Sequence, residues 1–252
     1  MNKVELYPDY FARFYDVIYH QVRDGVDNKF YLEKIKNTRG KILEVGTGTG
    51  RLLIEALENG ADIHGIDISS SMLNILKAKL TPEQKKRVSL QNIIDFKSEY
   101  KYDLIIAPFR VFMHLISKED QLNALNNVYD HLNQDGQFIF DVFVPDLKPL
   151  ISGLENVTDF EGEFEPGNRI KRITSTKPDL LNQIINITFR MEWNEGNSNY
   201  VSEWNTPLRY FFRYELEHLV ERSKFKKYRI VGDFNGNELD HDSKEFILIC
   251  EK

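Results

Sequence analysis

A short apolar stretch followed by three alternating glycines constrains the fold of this 252-residue chain more than any other feature. Residues 41–50 read KILEVGTGTG, and a helical pattern follows over residues 51–59. Glycine allows a backbone to turn sharply and to approach a ligand closely. The pattern therefore predicts a strand, a ligand at the turn that contains Gly46, Gly48 and Gly50, and then a helix. The first N–H groups of that helix would face an anionic part of the ligand.

Two kinds of nucleotide cofactor are held at such a turn, and the neighbouring residues distinguish them. The dinucleotide fingerprint Gly-x-Gly-x-x-Gly requires a third glycine for packing of the helix on the strand, and Arg51 stands at that position. Glu44 lies inside the strand, where a carboxylate would repel a pyrophosphate and attract a sulfonium or ammonium cation. The residues favour a cationic cofactor, and an oxidoreductase that binds an NAD-type dinucleotide remains the alternative.

A second acidic residue follows the glycines at the distance that nucleotide-binding folds use. Residues 61–67 read ADIHGID, which predicts a second strand ending at Asp67. A carboxylate at the end of that strand, about 20 residues after the glycine turn, can accept hydrogen bonds from both ribose hydroxyls. The two features together indicate a cofactor that contains a ribose.

The segment LEVGTGTG, which contains these glycines, resembles motif I of class I S-adenosylmethionine-dependent methyltransferases. The resemblance implies S-adenosylmethionine as the cofactor, with its methionine part at Glu44 and the glycines and its ribose at Asp67. It also implies that Ile68, Ile93 and Asn92 contact the adenine, although Asn92 stands where the family typically has an aspartate. The residues expected to hold the cofactor are Glu44, Gly46, Thr47, Gly48, Gly50, Asp67, Ile68, Met72, Asn92, Ile93 and Pro108.

The order of helical and strand patterns predicts the fold class. The two patterns alternate before residue 145, which predicts a parallel sheet with helices on both faces. Residues 150–210 change to the two-residue period of strands. We therefore predict an α/β fold, a Rossmann-like seven-stranded doubly wound sheet with an inserted antiparallel β-sheet. The expected domains are a cofactor domain over 1–149 and 211–252, with residues 1–38 as a helical lid, and an inserted subdomain over 150–210.

Two residues are candidates for contact with the methyl acceptor. His114 follows the fourth predicted strand, and an imidazole has the pKa range that keeps an amine unprotonated. Four features are similar to the amino-sugar N,N-dimethyltransferases: FYDVIY in the first helix, the His-Leu pair after the fourth strand, the inserted sheet, and LRYFFRYEL near residue 212. The resemblance implies that His114 and Tyr7 face a small-molecule acceptor. Whether His114 removes a proton or only positions the acceptor is open at this stage.

Arg110 departs from this family, which commonly has a small residue at that position. Its guanidinium could bind an acidic group of the substrate. The segment that contains it, residues 107–110, reads APFR and lacks the Asn/Asp-Pro-Pro-aromatic signature of nucleic-acid amino methyltransferases.

Composition and charge exclude several kinds of partner. A net charge of -6 without a basic stripe argues against nucleic acid. Cys250 is the single cysteine, so an intrachain disulfide or a multi-cysteine metal site is impossible and a cytoplasmic setting is expected. No apolar run predicts a signal peptide or a membrane span.

These observations predict methyl transfer to a small-molecule acceptor, at an amine nitrogen in preference to oxygen or carbon. A cofactor-binding protein without turnover is the non-enzymatic alternative. The inserted sheet is a candidate surface for a homodimer.

Overall fold

The computed structural model describes residues 7–22 and 25–252, and these residues form two compact units. One unit contains the N-terminal helix and residues 146–209, and the other contains residues 25–145 and 210–252. The helices and strands, in chain order, are α1 (Asp9–Val22), α2 (Val26–Asn37), β1 (Ile42–Val45), α3 (Leu53–Glu58), β2 (Ile63–Asp67), α4 (Ser70–Lys79), α5 (Pro82–Lys85), β3 (Val88–Leu90), β4 (Tyr102–Ala107), a 3₁₀ helix (Val111–His114), α6 (Lys118–His131), β5 (Leu132–Phe143), α7 (Leu147–Ser152), β6 (Leu154–Glu165), β7 (Asn168–Asp179), β8 (Ile184–Glu195), β9 (Ser198–Arg209), α8 (Arg213–Arg222), β10 (Lys227–Val231) and β11 (Glu245–Glu251).

The larger unit is built on a seven-stranded sheet with the order β10-β11-β5-β4-β1-β2-β3. The strands from β1 to β5 pair in parallel, whereas β11 pairs antiparallel with both β5 and β10. Both β2 and β4 lie beside β1, so the strand order reverses there. In open α/β sheets, ligands bind at the carboxyl ends of the strands next to such a reversal. The prediction of a Rossmann-like seven-stranded sheet is confirmed.

Burial explains the composition of the two central strands. All four residues of β1 are buried, as are five of the six residues of β4. Three of their apolar side chains, those of Ile42, Leu104 and Ile106, belong to one hydrophobic cluster with residues of α2, α3 and α4. Each fully buried side chain of this kind stabilises the fold by about 1.5–3 kcal/mol. Glu44 is the one charged residue of β1, which marks it as a residue with a role other than packing.

The smaller unit packs α1 against a four-stranded antiparallel sheet with the order β6-β7-β8-β9. Aromatic rings of the helix contact the two tryptophans of the sheet. The ring centroid of Phe11 lies 4.6 Å from that of Trp204, and the ring centroid of Phe14 lies 5.4 Å from that of Trp193. Such ring pairs stabilise by about 0.5–1.5 kcal/mol beyond their buried area. The prediction of an inserted antiparallel sheet is confirmed.

The boundaries of the units differ from those of the predicted domains in three places, one of them by a single residue, since the smaller unit ends at residue 209 instead of 210. The sequence predicted one lid over residues 1–38 of the cofactor domain, whereas α1 groups with the inserted sheet and α2 groups with the large sheet. The aromatic face of α1 explains its grouping, since that face packs on the rings of the inserted sheet. The smaller unit also resumes at residue 146 instead of 150, because α7 packs against β7.

Across the described residues, no helix combines the length and the apolar character needed to cross a membrane.

Candidate active site

The turn between β1 and α3 has the backbone geometry that its glycines predict. Its three glycines have positive φ angles, of 70° at Gly46, 54° at Gly48 and 94° at Gly50. A Cβ atom added to Gly46 would lie 2.3 Å from Val111 Cγ2, so this position has no room for a side chain. A Cβ atom added to Gly48 would meet only the carbonyl oxygen of Gly46, at 4.0 Å. Open space therefore lies beside Gly48, and the ligand expected at this turn stays a prediction.

Glu44 carries a buried carboxyl group directly before this turn. Its exposure is 3%, and Thr47 Oγ1 donates a hydrogen bond to Glu44 Oε2 at 3.2 Å. Burial raises the pKa of Glu44 to about 8, against the opposing effects of the Arg51 cation and of the Thr47 hydrogen bond. The group is thus mostly protonated at neutral pH, and a cation placed beside it would favour its ionised form.

Asp67 connects the end of β2 with the glycine turn and with α4. Asp67 Oδ2 accepts a hydrogen bond from the Gly48 amide and Asp67 Oδ1 accepts one from the Ser69 amide, each at 2.8 Å. Burial raises the pKa of Asp67, and these backbone donors oppose the rise. An ionised carboxylate offers about four lone-pair positions. Each oxygen of Asp67 therefore keeps acceptor capacity for a ribose hydroxyl.

The residues expected at the adenine lie after β2 and β3. Met72 and Ile93 are buried, whereas Ile68 and Asn92 are partly exposed. Asn92 Oδ1 accepts a hydrogen bond from the Ile94 amide at 3.2 Å, which fixes the turn after β3. Ser69 caps α4 by accepting a hydrogen bond from the Met72 amide at 3.2 Å. These contacts hold the two loops on the same edge of the sheet as the glycine turn.

The chain makes a second unusual turn after β4, beyond the buried Pro108. Phe109 and Arg110 have φ angles of 61° and 65°, a left-handed conformation that non-glycine residues rarely adopt. The Phe109 amide donates a hydrogen bond to Asp141 Oδ1 at 2.9 Å, and the Arg110 amide donates one to Asp141 Oδ2 at 3.1 Å. The 3₁₀ helix that ends at His114 begins directly after this turn.

His114 occupies the end of that 3₁₀ helix. Burial lowers the pKa of His114 to about 4, so its imidazole is neutral at physiological pH. A neutral imidazole can accept or donate a hydrogen bond, but a pKa of about 4 makes it a weak proton acceptor for an alkylammonium ion. The structure therefore suits His114 to positioning an acceptor better than to removing a proton from it.

Comparisons with known proteins agree with this geometry. A methyltransferase-domain family model matches residues 43–138, which include the glycine turn, Asp67 and His114. A glycine/sarcosine N-methyltransferase from Halorhodospira halochloris is 28% identical over 246 residues, covering 94% of this chain and 85% of that protein. A solved S-adenosylmethionine-dependent methyltransferase from Clostridium acetobutylicum has a TM-score of 0.74 at 19% identity, covering 96% of this chain and 98% of that one. A solved sugar N-methyltransferase from Streptoalloteichus has a TM-score of 0.75 at 15% identity, covering 100% of this chain and 98% of that one. The protein is an S-adenosylmethionine-dependent methyltransferase.

Arg51, which argued against a dinucleotide cofactor, has a structural role in this methyltransferase. Its guanidinium makes two hydrogen bonds to the fully buried Asp27, at 3.1 and 2.6 Å, and lies 5.1 Å from the centroid of the Phe109 ring. The helix that was predicted from Arg51 begins two residues later, at Leu53. Arg51 therefore connects α2 with the glycine turn and with the turn after β4.

Arg110 has a partner within the methyltransferase, and its predicted role toward an acidic group of the substrate stays a prediction. Arg110 Nη2 donates a hydrogen bond to Glu245 Oε1 at 2.9 Å, and the guanidinium lies 5.1 Å from the centroid of the Phe143 ring. The sequence did not suggest this pair because the two residues are 135 positions apart.

Tyr7 is the one predicted site residue that belongs to the smaller unit of the methyltransferase. It precedes α1, and its ring centroid lies 4.7 Å from that of Trp204 and 5.7 Å from that of Phe11. The other predicted site residues all belong to the larger unit. The role of Tyr7 toward an acceptor stays a prediction.

Sequence reasoning missed Asp141 and Tyr31 altogether. Asp141 is fully buried on β5, and the Tyr31 hydroxyl donates a hydrogen bond to Asp141 Oδ1 at 2.6 Å. One signal was available, since Asp141 stands in the otherwise apolar run FIFDVF of a predicted central strand. An acidic residue in such a run requires donors, and buried charges are almost always paired.

Proposed function

We propose that this methyltransferase transfers a methyl group from S-adenosylmethionine to the amine nitrogen of a small-molecule acceptor. The N-methyltransferase named among its relatives aligns with nearly the whole chain, and a structural neighbour of similar extent is a sugar N-methyltransferase. The observation that carries the choice of nitrogen is the partly buried His114 at the end of the 3₁₀ helix, whose imidazole is neutral because desolvation lowers its pKa to about 4.

The residues at the carboxyl edge of the large sheet suit this cofactor. Glu44 places a buried carboxyl group where a neighbouring cation would favour its ionised form, and the open space beside Gly48 allows close approach. Asp67 keeps acceptor capacity for the ribose hydroxyls. The remaining residues proposed to contact the cofactor are Gly46, Thr47, Gly50, Ile68, Met72, Asn92, Ile93 and Pro108.

The choice between nitrogen and oxygen as the acceptor atom depends on whether the acceptor must lose a proton while it attacks the methyl group. The cofactor supplies a methyl group on a positively charged sulfur, which departs as a neutral thioether. A hydroxyl acceptor needs a base to take its proton as it attacks, and a group with a pKa of about 4 does this poorly. An amine that is already deprotonated brings its own lone pair, so it needs only alignment, and alignment can supply much of a rate enhancement. His114 would provide that alignment through a hydrogen bond.

A methyl-transfer assay with a panel of glycine, sarcosine, an amino sugar, a phenol and a hydroxy acid tests the proposal. We expect product from at least one amine and none from the phenol or the hydroxy acid. The value of kcat/KM should rise with pH until the pKa of the acceptor amine is reached, without an inflection near the ordinary histidine pKa of about 6.5. His114→Ala should lower kcat about 100-fold, whereas His114→Gln, which keeps a hydrogen-bonding group, should lower it less.

His131→Gln is the matched control. His131 is another partly buried histidine, whose Nδ1 lies 2.8 Å from the Asn127 carbonyl oxygen at the end of α6, and its replacement should leave kcat unchanged. Methylation of the phenol in preference to every amine, or full activity of His114→Ala, would contradict the proposal. Tight binding of S-adenosylhomocysteine without turnover of any acceptor would favour the non-enzymatic alternative. The homodimer through the inserted sheet and the cytoplasmic setting stay predictions.

A further inference from the structure

The turn after β4 is held in a conformation that its own residues do not favour. Phe109 and Arg110 both carry a Cβ atom, and both adopt a left-handed backbone, with φ angles of 61° and 65°. Such residues persist in this region only where surrounding contacts determine them. The contacts that hold this turn therefore explain why the chain leaves β4 in this direction.

Asp141 supplies the principal contacts. Its two carboxylate oxygens accept hydrogen bonds from the amides of Phe109 and Arg110, at 2.9 and 3.1 Å. The side chain of Asp141 has no solvent exposure, and the Tyr31 hydroxyl donates a third hydrogen bond to it at 2.6 Å. Hydrogen bonds between buried groups are electrostatically stronger than those in water, and a buried donor or acceptor that loses its partner destabilises the fold. A residue of β5 and a residue of α2 thus fix two consecutive amides of a turn that lies far from both in the sequence.

The position of this turn sets the position of two parts of the candidate active site. The first residue of the following 3₁₀ helix, Val111, lies so close to the glycine turn that a Cβ atom on Gly46 would be 2.3 Å from it. The next residue, Phe112, is fully buried and stacks on Phe140 with a centroid distance of 4.4 Å. The helix then ends at His114, so a change in its direction would move both Val111 and His114.

We propose that Asp141, oriented by Tyr31, is a positioning residue for methyl transfer: it holds the left-handed turn at Phe109 and Arg110. The left-handed turn then keeps Val111 against the glycine turn and fixes the position of His114. The inference rests on the proposed function for the role of His114, and it goes beyond that function by assigning a role to a buried pair that does not contact the substrate.

A competing anchor for the same turn is the ion pair between Arg110 and Glu245. That pair has one hydrogen bond, at 2.9 Å, and the side chains of Arg110 and Glu245 are 36% and 14% exposed. A single-contact ion pair with one partner open to solvent contributes about 0–1 kcal/mol. Glu245→Gln should therefore change kcat by less than about threefold, whereas Asp141→Asn should change it far more.

The experiment compares Asp141→Asn, Tyr31→Phe and the double variant Asp141→Asn/Phe109→Gly with the wild-type methyltransferase. Asparagine keeps the size of Asp141 but presents an NH₂ group to one of the two backbone donors. We expect kcat to fall about 100-fold with a smaller change in KM, because misplacement by about 1 Å far from the chemistry can have an effect of that size. Tyr31→Phe, which leaves the carboxylate in place, should reduce kcat about threefold to tenfold. Glycine adopts a positive φ without steric conflict, so Phe109→Gly should restore kcat of the Asp141→Asn variant at least about tenfold.

Asp103→Asn is the matched control. Asp103 lies near the opposite end of β4, where its two oxygens accept hydrogen bonds from the Lys41 amide and the Asn133 side chain, each at 3.0 Å. This variant should lower thermal stability without changing kcat. A purely structural role for Asp141 would give the same pattern in Asp141→Asn, and that result would overturn the inference.

A second readout needs neither acceptor nor turnover. The ring ¹H–¹³C NMR signal of His114, identified by its loss in His114→Gln, should shift in Asp141→Asn and return toward its wild-type position in the double variant. If the wild-type protein methylates no acceptor, the proposed function fails while the NMR signal still reports on the turn. An unchanged His114 signal in folded Asp141→Asn would reject the inference even if the proposed function holds. If Asp141→Asn does not fold, kcat and the His114 NMR signal are measured in Tyr31→Phe instead. Wild-type values of both in Tyr31→Phe would also reject the inference.

Discussion

Two turns at the same edge of the large sheet have left-handed backbone and are built in opposite ways. The turn after β1 uses Gly46, Gly48 and Gly50, residues for which a positive φ carries no steric penalty. The turn after β4 uses Phe109 and Arg110, which adopt the same conformation under the hydrogen bonds of Asp141. The first turn is encoded in the sequence next to it, whereas the second is imposed by a residue on another strand.

The difference corresponds to the role proposed for each turn. Under the proposed function the backbone at Gly48 lies open to the cofactor, whereas a side chain at Gly46 or Gly50 would collide with Val111 or Leu76. The turn after β4 must direct a 3₁₀ helix, and it retains side chains that anchor it, such as the Phe109 ring beneath Arg51. On these proposals, the turn that binds the cofactor is built with glycine, and the turn that positions His114 is held by long-range hydrogen bonds.

Gly46→Ala should have the largest effect and tests the first half of this comparison. The added Cβ atom would lie 2.3 Å from Val111 Cγ2 in a backbone with a φ of 70°. Either Val111 or the turn must move, so we expect the affinity for S-adenosylhomocysteine to fall at least about 100-fold. Isothermal titration calorimetry measures the affinity, and thermal unfolding measures the accompanying loss of stability.

Gly60→Ala is the control for conformation alone. Gly60 has a φ of 81°, but a Cβ atom there would meet nothing within 4 Å. It should cost about 1 kcal/mol of stability and leave cofactor affinity unchanged. Equal affinities for the Gly46→Ala variant and the wild type would show that the close contact between the two turns is not needed for binding.

The same contrast explains how much of the molecule could be predicted from its sequence. The large sheet, Glu44, the glycine turn and the end of β2 at Asp67 follow from local patterns, since strand period, turn glycines and their spacing are all read within about 25 residues. The hydrogen bonds from the amides of Phe109 and Arg110 to Asp141 span 32 and 31 residues, and no local pattern predicts these pairings. The low pKa of His114 likewise arises from burial, which depends on packing of the whole unit.

The grouping of α1 shows a third limit of the sequence. Its aromatic face was recognised, but periodicity indicates which face of a helix is buried and not which surface covers it. The rings of Trp193 and Trp204, far along the chain, provide that surface.

Glu44→Gln should have the next largest effect and tests whether the glycine turn needs a charge as well as an open backbone. The folded-state pKa of Glu44 is about 8, above its ordinary value of 4.5. Between these two pH values the folded protein retains a proton that the unfolded chain releases, so the wild-type protein without cofactor loses stability as pH rises through this window. One pKa unit corresponds to about 1.4 kcal/mol. The free energy of unfolding of Glu44→Gln minus that of the wild type should therefore be several kcal/mol larger at about pH 9 than at about pH 5, because the variant cannot titrate at this position.

Urea unfolding of both proteins at the two pH values measures this difference, and calorimetry should show at least a roughly tenfold weaker affinity of Glu44→Gln for S-adenosylmethionine. The control is Glu83→Gln, because Glu83 is exposed in a surface ion pair with Lys86 and should give no pH-dependent difference. A wild-type affinity for the cofactor in Glu44→Gln would remove the role of the carboxylate and leave the backbone geometry as the sole determinant of the glycine turn.

Phe109→Gly in the otherwise wild-type protein should have the smallest effect and tests the second half of the comparison. Relief of the left-handed backbone should stabilise the folded state by about 1–2 kcal/mol. Against this, the glycine adds about 0.5–1 kcal/mol of chain entropy to the unfolded state, and loss of the ring beneath the Arg51 guanidinium removes about 0.5–1 kcal/mol of cation–π attraction. Part of the apolar burial of a half-exposed ring is lost as well, so the opposing changes nearly cancel and the free energy of unfolding should stay within about 1 kcal/mol of the wild-type value. Chemical denaturation measures this value. A loss of more than about 3 kcal/mol would mean that contacts of the Phe109 ring, and not its backbone conformation, determine the effect of residue 109 on stability. The turn after β4 would then not be an example of a conformation imposed by distant hydrogen bonds.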